Sequence, residues 1–430
     1  MALTPRFVWL FLAGLVPVVL FPSSGTVVLV ACCLAALALA DVLLAPSPRR
    51  VTIERSLPRS VRLGEAAASR LLVTNNGRRR MRGQVREGWQ PSAGAAPARF
   101  ELVLPPGERR VFETGLLPRR RGDLSVHHTT IRSRGPLGLA WRQLTHPTPG
   151  TLRVLPPFHA KRHLPSKLRR LRELDGRAAI QVRGAGTEFD SLRDYVRGDD
   201  VRSIDWRASA RRQNVVVRTW RPERDRRVVI VLDTSRTSAA RIADEPRLDT
   251  GIEAALLLAV LAERGGDRVD FLAYDRRVRA RVESAARGNL LTQLVDAMAT
   301  LEPELIEADW SRIPGQIRLV SSHRSLVVLL TSLDSGAVEE GLLPVLPALT
   351  AQHVVVIAAV RDPELEHRRA ELGSAPGVYR AAAAERALQQ REALKEELRS
   401  HGAEVVDAGP LELPPALADT YIRLKATGRL

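Results

Sequence analysis

Three groups of side chains in this sequence have the types and spacing for chemistry. Asp233-Thr234-Ser235-Arg236-Thr237 sets one carboxylate and two hydroxyls at alternate positions directly after the apolar run Val228–Leu232. That order gathers oxygen donors around one point, the donor type a hard divalent cation takes. The same residues also suit a simple cap on the turn that follows. Asp199, Asp200 and Asp205 form the second group, with Ser209 close by. Neighbouring carboxylates can do acid–base work, and a metal-dependent hydrolase is the activity they would serve. Each has an arginine near it (Arg197, Arg202, Arg207, Arg211), which favours structural ion pairs. Ser209 has no nearby His to complete a triad. The third group is His127-His128; neighbours in a strand point to opposite faces, which argues against a shared metal. Gly184-Ala185-Gly186 lacks the third Gly and the preceding strand of a dinucleotide loop, so nucleotide binding is rejected there. With no nucleophile–base pair in hand, the expectation is a protein that is not an enzyme.

The elements that would position the Asp233 group alternate between strand and helix. Val228–Leu232, Ser325–Thr331 and Val354–Val360 are continuous apolar runs, as in strands buried on both faces. Arg268–Tyr274 reads as a strand with Val278–Val282 as its edge partner, and Glu404–Asp407 as a short last strand. Helices are expected over Leu248–Arg264, closed by Gly265-Gly266, over Leu290–Leu301, Arg380–His401 and Leu413–Thr427. Val338–Gln352 should be split by Pro344 and Pro347. Residues 225–430 are therefore expected to be an α/β domain, a mostly parallel sheet with helices on both faces. Asp233 would sit at the carboxyl end of the strands, where such sheets bind ligands.

Upstream, residues 51–155 show short alternating runs: Val51–Ile53, Arg70–Thr74, Gly83–Glu87, Phe100–Leu104, Arg110–Thr114, Ser125–Ile131 and Leu139–Gln143. Turn signals separate them, which predicts an antiparallel, Ig-like β-sandwich. Asn75-Asn76-Gly77 predicts a hairpin. Residues 156–224 read as a connector. Within it Lys161–Glu173 is basic and carries Leu164, Leu168 and Leu171 at helical spacing, suited to a membrane surface or to docking on the next domain.

Residues 1–50 hold two apolar runs, Phe7–Phe21 and Thr26–Ala45, joined by Pro22-Ser23-Ser24-Gly25. The second is long enough to span a bilayer; the first is slightly short but extends into Met1–Thr4. This predicts a two-helix transmembrane hairpin. Arg6 precedes it and Arg49, Arg50, Arg55 and Arg59 follow, while the turn is uncharged. The positive-inside bias places both ends, and the soluble domains, on the cytoplasmic side of the inner membrane. The alternative is a long signal peptide cut at Ala38-Leu39-Ala40, making an exported binding protein.

The 430 residues carry a formal net charge of +17, almost all from arginine, with four lysines. An arginine-rich composition explains this. Nucleic acid is not the expected partner, because no segment interleaves aromatics with basic residues as single-strand binders do. Cys32 and Cys33 lie side by side in an apolar run and give neither a disulfide framework nor a metal spacing.

The stretch from Gly184 to Glu223 ties these parts together. It fixes Glu188, Arg193, Tyr195, Gly198, Asp199, Asp200, Arg202, Asp205, Trp206, Ser209 and Arg211 in the run E-F-x-x-L-R-x-Y-x-x-G-D-D-x-R-x-I-D-W-x-x-S-A-R. This run resembles the signature of the bacterial family known as domain of unknown function 58. RRRGDLSVHHTTIRSRGPLGLAWR and the terminal DTYIRLKATGRL are similar to two further patterns of that family. The resemblance implies a von Willebrand factor A-like α/β domain after the signature. It implies a setting beside MoxR-type AAA+ ATPases and other membrane or envelope proteins, in an assembly or maturation step. The Asp233-Thr-Ser235-Arg-Thr237 loop resembles the D-x-S-x-S loop that holds Mg²⁺ in von Willebrand factor A domains, with Thr237 for Ser. Where those domains have an Asp after their fourth strand, this chain has Thr331-Ser332, with Asp334 two residues later. Thr292 is the candidate for the separate loop Thr. The signature is expected to be structural or to dock a partner, with Trp206 and the charges around it holding the connector on the α/β domain.

Overall fold

Mostly apolar residues, with Arg6 and Asp41 as the charged exceptions, build the first two helices of the computed structural model, Pro5–Leu20 and Ser24–Leu44. Ser23 caps the second, its hydroxyl accepting from the Thr26 amide. The structure describes residues 2–181, 188–221, 226–243, 245–283 and 289–430. One helix among them, Ser24–Arg50 counting its short extension, is long and apolar enough to cross a membrane; Pro5–Leu20 is shorter. The first run does not extend into Met1–Thr4. Ala2–Leu3 instead form a strand paired with Ala140 and Trp141, because Thr4 is buried and hydrogen-bonded to the carbonyls of Gly138 and Leu139.

The second helix ends in a clasp. Asp41 is fully buried and accepts from four consecutive amides, Leu137, Gly138, Leu139 and Ala140. A carboxylate buried in an apolar setting is costly unless its oxygens are satisfied, and here the backbone satisfies them. Gly135 makes the approach possible: a Cβ there would lie 2.2 Å from Asp41 Oδ1.

The chain divides into two units, Met1–Leu155 and Pro156–Leu430. In the first, one sheet orders the strands Ala2–Leu3, Ala140–Leu155, Gly122–Arg134, Met81–Trp89 and Arg99–Leu104, all antiparallel, with Ser60–Arg62 parallel to Ala140–Leu155. A second sheet pairs Val51–Ser56, Ala67–Asn75 and Arg109–Leu116. Leu71, Val73 and Phe112 from one sheet meet Val85, Leu102 and Ile131 from the other in one core. All seven expected runs fall on strands. Asn75-Asn76-Gly77 is not a hairpin, however. It joins strands of different sheets, and the buried Asn75 amide donates to the carbonyls of Arg79, Leu104 and Pro105 while its oxygen accepts from Gly77 N. Arg55 is not a surface charge either: it lies buried against Glu87, also bonded to Ser69 and to Thr148.

In the second unit the sheet order is Val278–Val282, Arg268–Tyr274, Arg227–Asp233, Leu326–Leu330, Val354–Val360, Glu404–Ala408. Every neighbouring pair is parallel except the edge strand Val278–Val282. On one face Val229, Val231, Val327, Leu329, Val355 and Ile357 pack with Ile313, Ile317, Leu346, Leu349, Leu394 and Leu398. Helices Arg247–Arg264 and Leu413–Ala426 pack on each other and on the sheet strands. Pro344 and Pro347 do break their segment into a π turn over Val338–Leu342, a 3-10 turn over Leu343–Val345 and the helix Leu346–Thr350. The basic helix, observed over Leu164–Gln181, docks within this unit. Leu171 is buried, and Lys167 and Arg170 both reach Asp419.

Candidate functional site

Asp233 ends the strand Arg227–Asp233, third in the order of six. The parallel register pairs Leu232 with Leu330, so Thr331 on the next strand comes level with Asp233. The carboxylate is 2 % exposed. Its Oδ1 accepts from the Ser235 amide at 2.8 Å, and its Oδ2 from the hydroxyls of Thr331 at 2.7 Å and Thr237 at 3.1 Å. Ser235 and Thr237 hydroxyls lie 3.2 Å apart. The Ser238 hydroxyl closes the turn on the Asp233 carbonyl. Burial pushes the Asp233 carboxyl above the ordinary aspartate range, although the Ser235, Thr331 and Thr237 donors oppose it.

The three oxygen residues read from the sequence are therefore together, and a fourth, Thr331, joins them. The sequence offers Thr331 as the end of an expected strand and as part of the Thr331-Ser332 pair, and only the register converts that place into a contact with Asp233. Asp334 does not complete the set: it pairs with Arg247 at 3.1 Å. The same guanidinium donates to the Thr237 carbonyl at 2.8 Å, so a positive charge lies beside the loop. Ser332 Oγ and Arg247 Nε are buried without a hydrogen-bond partner among the described residues. Thr292 is exposed on the helix Leu290–Ala299. Asp275, which sequence reasoning did not single out, is fully buried next to the site. It accepts from the Thr234 hydroxyl and from the amides of Arg276 and Arg277. Among the described residues no cluster of three or more His, Cys, Asp or Glu could hold a metal.

The signature stretch folds on itself. Glu188–Asp194 pairs antiparallel with Val216–Arg221, and the short helix Trp206–Arg212 lies between them in sequence. Each aspartate has a local task. Asp199 closes the turn at Gly198 (φ 116°), accepting from the Val196 amide and from Arg193 at 2.6 Å. Asp200 caps the 3-10 turn Val201–Ser203 through the Arg202 amide. Asp205 caps the helix through the amides of Arg207 and Ala208 and binds Arg218 at 2.9 Å. Ser209 donates to the Asp205 carbonyl and accepts from the Val216 amide. The Arg193 hydrogen bond holds the Asp199 carboxyl below its usual range, and the Ala208 amide followed by Arg218 does the same for Asp205.

Two expectations fail here. The ion partners are Arg193 and Arg218, not the interleaved Arg197, Arg202, Arg207 and Arg211, which have no carboxylate partner among the described residues. Trp206 is 68 % exposed, so its ring does not pin the connector to the α/β domain. Caps and turns take up the short Asp side chains locally, which leaves the interleaved arginines and the ring pointing outward. Tyr195, Val196, Val201 and Val215 are exposed as well. The Glu188 side chain and Gly184-Ala185-Gly186 lie outside the described residues. His127 and His128 are both exposed, because a register shift between Val126 and His128 breaks the alternation.

The other two resembling segments also have structural tasks. Arg134-Gly135-Pro136-Leu137-Gly138-Leu139-Ala140 supplies the clasp for Asp41. In the terminal segment Tyr421 and Lys425 both bind the buried Asp267, at 2.6 and 2.8 Å.

Comparison with known proteins follows the same stretch. Residues 191–391 match the family described as "Protein of unknown function DUF58". An uncharacterized protein of Mycobacterium tuberculosis (strain H37Rv) is 26 % identical over 184 residues, 42 % of this chain and 57 % of that one. An uncharacterized protein of Mycobacterium bovis matches to the same extent. The chain thus spans little more than half the length of these relatives. Among solved structures, Escherichia coli alpha-2-macroglobulin, from domain MG7 to the C-terminus, matches at 21 % identity and a TM-score of 0.21, covering 25 % of this chain and 17 % of that one. The CARDB domain of a Pyrococcus furiosus protein matches at 17 % identity and a TM-score of 0.20, covering 26 % and 89 %.

Proposed function

Because residues 191–391 match the DUF58 family, we propose that this protein is a membrane-anchored interaction protein. It acts with a MoxR-type AAA+ ATPase in assembling or maturing an envelope-linked complex, and it is not an enzyme. The observation that carries this reading is the outer surface of the signature hairpin. Trp206, Val201, Val196 and Tyr195 are displayed among arginines with no carboxylate partner among the described residues. Exposed aromatic and apolar side chains beside arginine are the composition of a contact surface. The hydrolase alternative would need Asp199, Asp200 and Asp205 free to act, and all three serve as caps.

In this reading residues 225–430 are a von Willebrand factor A-like domain, residues 51–155 a β-sandwich, and the two N-terminal helices a transmembrane hairpin facing its soluble domains to the cytoplasm. The return of both helix ends to residues 137–140 supports the hairpin. Mg²⁺ would take Asp233, Ser235 and Thr237. The oxygen set suits it, and the orphaned Ser332 hydroxyl lies at the same sheet edge. One carboxylate, with Arg247 nearby, makes a weak site alone. An acidic residue from the partner would complete it and pair with Arg247.

The test is affinity purification from membranes with and without ATP. The proposal expects a AAA+ ATPase to come along in a nucleotide-dependent way, and expects Trp206→Ala to lose it. Equal capture by Trp206→Ala would move the docking surface elsewhere, and capture of no ATPase would refute the partnership. Chelation should weaken capture if Mg²⁺ bridges the two proteins; capture indifferent to chelator and to Asp233→Asn makes the loop a capped turn.

A further inference from the structure

The outer face of the larger sheet in Met1–Leu155 carries a pocket of about 160 Å³ lined by Arg86, Arg99, His128, Arg132, Gln84 and Gln143. The register builds it. Arg86 stands directly opposite Arg99 on one side and Thr130 on the other, and Gln84 directly opposite Arg132, which is itself opposite Gln143. Directly opposed residues share a face, and like charges so placed destabilise a sheet. Gln143 orients Arg132, accepting from its Nε at 2.7 Å. His128 reaches the pocket because residue 88 is glycine: a Cβ there would lie 2.7 Å from the ring Nε2.

Exposed arginine alone means little in a chain with a net charge of +17. Here, though, Arg86 and Arg99 have no carboxylate partner among the described residues, and Glu101, opposite Gln84 on the same face, pairs with none of the three arginines. Three guanidinium groups, an imidazole and two carboxamides thus converge on one concavity with no carboxylate among its lining residues. We propose that this pocket is a binding site for a phosphate group. Guanidinium forks match phosphate oxygens in pairs, and the anion would relieve the Arg86–Arg99 repulsion. The size sets the class. A water takes up roughly 30 Å³, so the space suits one phosphoryl group with a few waters, well below the ~300 Å³ at which drug-sized pockets begin. The source is either free phosphate or a lipid headgroup, since this unit also carries the apolar helix Ser24–Leu44.

The probe is inorganic phosphate, titrated calorimetrically into the full chain in phosphatidylcholine nanodiscs at constant ionic strength. Saturable binding is expected. Arg86→Gln and Arg99→Gln should each weaken it about tenfold or more, the scale of a lost charge-assisted hydrogen bond. Arg82→Gln, which removes one charge from the same strand outside the pocket, should leave it unchanged. A thermal melt of each variant checks folding, and loss of repulsion should leave Arg86→Gln at least as stable as the parent without phosphate. Adding phosphatidylglycerol to the nanodiscs separates the sources. Phosphate heat that disappears, and returns on removing that lipid, assigns the pocket to a headgroup; heat that persists assigns it to a soluble phosphate. No saturable heat, or equal heats in all three variants, overturns the site.

Discussion

The Asp233 loop and the signature hairpin are both rich in carboxylates and hydroxyls, yet they spend them differently. At Asp233 the oxygens turn inward on one buried carboxylate, held by donors from two neighbouring strand ends. In the hairpin three aspartates face solvent-accessible turns and are used up one by one on nearby amides. The first arrangement holds a carboxyl group whose ionised form burial disfavours; the second lowers the cost of several ionised groups and frees the ring and the arginines to face outward. Similar residue types therefore make a ligand-like point in one region and a stiff display surface in the other.

The largest way to break this contrast is Asp233→Ala. It strands the Ser235 amide and the Thr331 and Thr237 hydroxyls in a buried place, so stability should fall by about 1–3 kcal/mol, while Asp233→Asn loses less. Chemical denaturation of the three proteins measures this; an unaffected Asp233→Ala would mean the loop relaxes freely. Next in size is the response to acid, which should have opposite signs. Asp233 has a raised folded pKa, so its ionisation costs stability as pH climbs from the unfolded value of about 3.9 through that raised value, and acidification relieves the cost. Asp199 and Asp205 have lowered folded pKa values, so they stabilise above about pH 3.9 and lose this as pH falls through their folded values. Asp233→Asn should flatten the limb above that pH, and Asp205→Asn the limb below it. Denaturation midpoints across pH decide, and a common sign for both variants would refute the contrast.

A smaller effect is expected from Trp206→Ala. An exposed ring contributes little to folding, so the midpoint should move by no more than about 0.5 kcal/mol while partner capture is lost. A shift of several kcal/mol would show the ring to be buried in solution. Smallest of all, Arg218→Gln removes one of three partners of Asp205 and leaves both capping amides. Hydrogen exchange at Arg207 and Ala208 should quicken locally with no change in global stability. Unchanged exchange would leave Arg218 without a part in the cap.

Much of the α/β unit was legible because its strands are continuous apolar runs with few alternatives. Arg268–Tyr274, Val278–Val282 and Val354–Val360 were read with the bounds observed. What failed required knowing which elements become neighbours. Asn75-Asn76-Gly77 has hairpin composition whether its flanking strands share a sheet or not. The alternation of charges does not reveal the true partners, because Arg218 comes to Asp205 from the returning strand Val216–Arg221 and Arg193 reaches Asp199 only through the turn at Gly198. A tryptophan among charges reads the same whether it is packed or displayed. Thr331-Ser332 stands in the sequence only as the place where an Asp was expected; that the Thr331 hydroxyl binds Asp233 follows from the register.

The Asp41 clasp bears on how the apolar helix Ser24–Leu44 and its sheet are coupled. A helix joined to a domain by a loose linker can tilt or spin without consequence for what it carries. Here the last turn of Ser24–Leu44 is bolted to Leu137–Ala140, the bend between the two longest strands, and Ala2–Leu3 is stitched to the same place. Any force turning the helix would therefore pass through these bonds to Gly122–Arg134 and Ala140–Leu155, as a shaft drives a blade.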